Sequence, residues 1–77
     1  MNEAELHALL LELGSRYAIP RRKAMEALIT LGAPAVPGLI AALSGKNPDA
    51  QQAAAEALER IATPEALTAL EHWRQGM

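Results

Sequence analysis

An all-α stack of five short helices is what this chain of 77 residues predicts, on three observations. The stretch PRRKAMEALITLG, from Pro20 to Gly32, recurs thirty residues later as AQQAAAEALERIA, from Ala50 to Ala62. Apolar residues fall at the i, i+3, i+4, i+7 spacing that lines one side of a helix. Hydrophobic residues make up 51% of the chain but aromatic ones only 3%, so the core must be built from Ala and Leu, which suits closely approaching helices better than strands.

The first helix is read from NEAELHALLLELG, with Leu6, Leu9, Leu10 and Leu13 as its apolar stripe. Asn2 is its cap, Glu5 takes the capping-box position and Gly14 is its stop. The second helix starts at Pro20, where a missing N–H costs nothing, and runs to Leu31 with Gly32 as terminator; Ala24, Ala27, Leu28 and Leu31 face inward. The third opens at Pro34 and places Val36, Leu39, Ile40 and Leu43 on one face, with Pro37 inside the first turn. Asn47 and Pro48 begin the fourth, which is expected to end near Ala62; Asp49 sits well near its positive end. Thr63 and Pro64 repeat the start signal for the last helix, carrying Ala66, Ala69, Leu70 and Trp73 before fraying from Gln75 to Met77.

The thirty-residue offset pairs Leu9 with Leu39, Leu13 with Leu43, Ala24 with Ala54, Glu26 with Glu56, Leu28 with Leu58 and Pro34 with Pro64. The shared columns are apolar stripes and helix starts, so one helix–turn–helix unit is stacked on itself. A helical pair opening at Pro34, Ala35, Val36 and Pro37, with Leu39, Ile40 and Leu43 in the first helix and Asp49, Ala53, Ala54, Ala57, Leu58 and Ile61 in the second, resembles the HEAT-like repeats first named from phycobilisome lyases. The resemblance covers nearly the whole chain. It implies a short right-handed α-solenoid of about two and a half HEAT-like pairs, with residues 1–77 as a single domain. It also implies a concave side lined by the second helix of each pair. Family repeats often carry an Asp in the turn and an Arg two residues on. This sequence keeps Asp49 but has Gln51 in the Arg column, and keeps Arg21 but has Ile19 in the Asp column, so one Arg21–Asp49 contact between units is expected.

Catalysis finds little support. The chain has no cysteine, which excludes disulfides and thiolate chemistry and fits a cytoplasmic protein. The first residues lack the basic start and uninterrupted apolar run of a secretory signal, and no stretch approaches the length of a membrane span, so no membrane association is expected. His7 and His72 lie far apart without a metal-binding or triad motif, and Glu56 and Glu59 read as a charged helix face. The five glycines are scattered at helix ends and turns and form no phosphate loop. No catalytic residue, metal or cofactor is expected.

Charge placement is more informative. Arg16, Arg21, Arg22 and Lys23 put four of the seven basic residues into one short basic corner, three of them in the first turn of the second helix, where the dipole disfavours cations. This corner reads either as the family's structural arginine plus neighbours paired with Glu26 and Glu12, or as a docking site for an acidic partner or a phosphate. Met25 and Ile29 lie just beyond the buried stripe and are expected to point partly outward, where the next unit has Ala55 and Glu59. Arg21, Arg22, Met25, Ile29, Gln52, Ala55 and Glu59 therefore form the expected protein-binding surface. Leu11 and Trp73, near the two ends of the stack, are the candidates for self-association into a homo-oligomer. The competing reading is a small nucleic-acid-binding protein using the basic corner; the lack of interleaved aromatics and the net charge of −2 weigh against it.

Overall fold

The computed structural model describes residues 2–76. Among them it places α1 (Glu3–Glu12), α2 (Ala18–Leu31), a 3-10 turn (Ala33–Ala35), α3 (Val36–Leu43), α4 (Pro48–Ile61) and α5 (Pro64–Gln75). The expected fraying at the C-terminus reaches Met77, which lies outside the described residues.

Three helix starts follow from side-chain caps that satisfy first-turn N–H groups. Asn2 Oδ1 accepts from Glu5 N at 2.8 Å, Asn47 Oδ1 from Asp49 N at 2.9 Å, and Thr63 Oγ1 from Ala66 N at 3.1 Å. The two starts read from proline alone are less well placed. Helix α2 begins at Ala18, two residues before Pro20, with Tyr17 at the cap and no side-chain bond there. No residue of the first turn has an intrahelical acceptor for its N–H, so a proline marks that turn without marking its first residue. At Pro34 the chain enters the 3-10 turn, and the α-helix begins only at Val36. Pro37 has no N–H to offer Ala33, so the chain tightens to i→i+3 bonds there, Ala35 N donating to Gly32 O at 2.9 Å.

Helices α1, α3 and α5 form one layer, and α2 and α4 pack side by side as the other. The repeat columns are the core: Ala24, Ala54, Leu28 and Leu58 are each 0% exposed, Leu13 0% and Leu43 4%. Leu13 lies just past α1, which itself contributes only half-buried residues such as Leu6, Leu9 and Leu10. Trp73, third in the Leu13–Leu43 column, is half-buried and packs on the edge of the core.

One glycine departs from expectation. Gly38 sits inside α3 rather than at a helix end, and a Cβ there would lie 2.5 Å from Leu10 Cδ1. Its missing side chain is what lets α1 approach α3 closely. The two interhelical loops are also tied together, Asn47 Nδ2 donating to Gly14 O at 2.9 Å.

A candidate interaction groove between the paired helices

The face of α2 that meets α4 repeats at i, i+3, i+4, i+7, and so does the face of α4 that meets it. Between them runs a groove of about 590 Å3 with Met25 and Ala53 in its lining. Charged pairs cross it. At one end Arg21 Nη1 stands 4.0 Å from Asp49 Oδ2, and at the other Arg60 Nη1 donates to Glu26 Oε1 at 2.9 Å. Arg22, Gln52 and Glu56 also line the groove, and among the described residues neither Arg22 nor Glu56 has an ion-pair partner within 4.0 Å.

The structure gathers four of the seven residues expected on the binding surface, Arg21, Arg22, Met25 and Gln52, into this groove. Met25 differs from expectation in being only 8% exposed, and Ala55 is 9% exposed, so neither projects outward. The thioether reaches into the α2–α4 contact, where a flexible side chain fills space that small alanines leave open. Ile29 is half-buried against the core and does not line the groove. Glu59 faces away from it, accepting from Arg74 Nη2 of α5 at 2.9 Å beside a separate cavity of about 380 Å3.

The basic corner also divides. Arg21 Nη1 donates to Ser15 O at 2.6 Å, and Gln51 Nε2 donates to Gly45 O at 2.6 Å. Donor and acceptor are each offset by thirty residues, so Arg21 and Gln51 perform one structural task, fastening the loop ahead of each second helix. Their difference in side chain conceals a shared role. The pairing of Arg22 with Glu26 does not form, because Glu26 is held by Arg60, nor does Glu12 join an ion pair among the described residues. Arg22 and Lys23 instead border a surface cavity of about 650 Å3 with Ala18, Ile19 and Glu26 on the outer side of α2.

Two residues outside the expected binding surface stand in this corner. Ile19 is 70% and Tyr17 65% exposed, and Arg16 Cζ lies 6.0 Å from the Tyr17 ring centroid, at the outer limit of a cation–π contact. An aromatic is therefore interleaved with the cations after all. The signal for Ile19 was present in the repeat, where an isoleucine occupies the turn column that holds Asp49 in the next unit.

His7 and His72 are exposed on α1 and α5, and no three His, Asp or Glu side chains converge among the described residues. A family model described as HEAT repeats matches residues 4–75. No curated protein and no solved structure gives a significant match.

Proposed function

Because the chain belongs to the HEAT-repeat family, we propose that it acts as a non-catalytic protein-interaction module. It engages its partner through the exposed surface of α2 and α4, with Arg22 and Lys23 selecting acidic groups. The observation that carries this reading is the pairing pattern. Arg21 and Arg60 already have acceptors within the fold, whereas Arg22 has none within 4.0 Å among the described residues and sits where the groove opens onto the outer face of α2. A cytoplasmic setting belongs to the same proposal and is supported by the cysteine-free sequence; no helix is long and apolar enough to cross a membrane. The phycobilisome-lyase likeness rests on the helical pair that opens at Pro34–Pro37 and continues through Asp49 to Ile61, and it adds no residue-level chemistry.

An amide-resolved NMR titration with pooled acidic peptides, the matching basic peptides and a short DNA duplex tests the proposal. Acidic peptides are expected to shift amides of α2 and α4 around Arg22, and Arg22→Glu is expected to remove the response without loss of helicity. Met25→Glu is the wrong probe, since it would bury a charge. The competing nucleic-acid reading gains support from Tyr17 exposed beside Arg16. DNA binding that falls steeply between low and moderate salt, with no response to acidic peptides, would replace the protein-binding reading.

A further inference from the structure

Translating α4 by thirty residues onto α2 brings equivalent surface positions of the two helices into register. Asp49, Gln52, Ala53, Glu56 and Arg60 are the residues α4 presents to α2 and their shared groove. Their equivalents on α2 are Ile19, Arg22, Lys23, Glu26 and Thr30, and the first four of these border the outer cavity of about 650 Å3. The positions through which α4 receives a neighbouring helix thus recur on α2, where no helix among the described residues lines the cavity they border. We propose that this outer face of α2 receives an acidic amphipathic helix of a partner protein, lying alongside α2 as α2 lies alongside α4. The proposal rests on the interaction-module reading and names the form of its partner.

Charge decides which helix fits. In the internal contact, Asp49 faces Arg21 and Arg60 faces Glu26, so opposite charges meet across the groove. On the outer face the turn acid is replaced by Ile19, which is 70% exposed, and the buried Ala53 is replaced by Lys23. Glu26, the one acid there, already accepts from Arg60. The unmet groups are therefore an apolar side chain and the cations of Arg22 and Lys23, with Arg16 and the exposed Tyr17 ring near the same end of α2. A partner helix must set an apolar residue over Ile19 and carboxylates a turn away, over Arg22 and Lys23. A basic helix would meet like charges, which favours the acidic occupant.

The test uses the full chain and two synthetic peptides of equal net charge, each matching the 14-residue length of α2. Both carry an apolar stripe flanked by glutamates; one is locked helical by side-chain bridges, the other broken by internal prolines. The helical probe is expected to shift the amides of Ile19, Arg22, Lys23, Glu26 and Thr30 and to bind at least about tenfold more tightly than the broken one. Ile19→Asp and Lys23→Glu, both at exposed positions, are expected to weaken it at least about tenfold with helicity intact, and Thr68→Asp, at an exposed position of α5, to leave it unchanged. Equal binding of both probes would overturn the helical mode. Shifts confined to Asp49, Gln52 and Glu56 would overturn the outer face as the site while leaving the interaction module standing. No response to either probe at low salt, with anionic vesicles or DNA shifting the same amides, would overturn the partner assigned here.

Discussion

Replacing Arg21 separates a loop-fastening role from a binding role, because the molecule contains its own control in Gln51. The Arg21 guanidinium donates to Ser15 O at 2.6 Å from a side chain 26% exposed, and reaches Asp49 only at 4.0 Å. A hydrogen bond from a charged donor contributes about 1.5–3 kcal/mol when shielded, which partial exposure reduces to roughly 1–2 kcal/mol. The long pair with the half-exposed Asp49 adds a few tenths, in line with surface ion pairs generally at about 0–1 kcal/mol. Arg21→Ala should then cost about 1–2 kcal/mol, or about 4–16 °C in midpoint for a chain of this size. Arg21→Gln installs the residue that fastens the next loop, where Gln51 Nε2 reaches Gly45 O at 2.6 Å, and should lose only about 0.5 kcal/mol, the ion-pair share. Urea unfolding followed by far-UV circular dichroism, with the m-value held as a check on two-state behaviour, measures both. If the glutamine variant falls as far as the alanine variant, Arg21 acts through its charge and the shared role is wrong.

Two further substitutions follow from backbone and packing. Gly38→Leu forces a side chain into the space of Leu10 and should cost about 1–3 kcal/mol by overpacking, read as a lowered urea midpoint; a neutral result would mean that α1 is free to move off α3. The C-caps Gly32 and Ala62 are repeat equivalents, with φ of 77° and 58°. Ala62→Gly should stabilise by about 0.5–1 kcal/mol by relieving a left-handed alanine, while Gly32→Ala, at ψ −135°, should lose about 1–3 kcal/mol, both read from thermal midpoints.

Much of the fold was legible because it repeats. Ala24 with Ala54 and Leu28 with Leu58 are buried in both copies, and the Asn47 and Thr63 caps act locally, so a linear reading suffices for them. The candidate site was legible only in part. Gln52 and Arg22 were placed on it, but Met25 was expected outside and lies within, since a residue one position beyond a stripe is inside or outside according to whether a second helix stands beside it.

The sequence by itself determined five helices, their pairing and the columns that become core, because hydrophobic period and capping act over a few residues and the thirty-residue offset copies the result. Only the tertiary structure decided the role of each charge. Arg21 and Gln51 proved equivalent, Glu26 went to Arg60 thirty-four positions away rather than to Arg22 one turn away, and Arg22 and Lys23 faced outward with Ile19. A long side chain can reach several partners, and which it takes depends on what the neighbouring helix brings within reach.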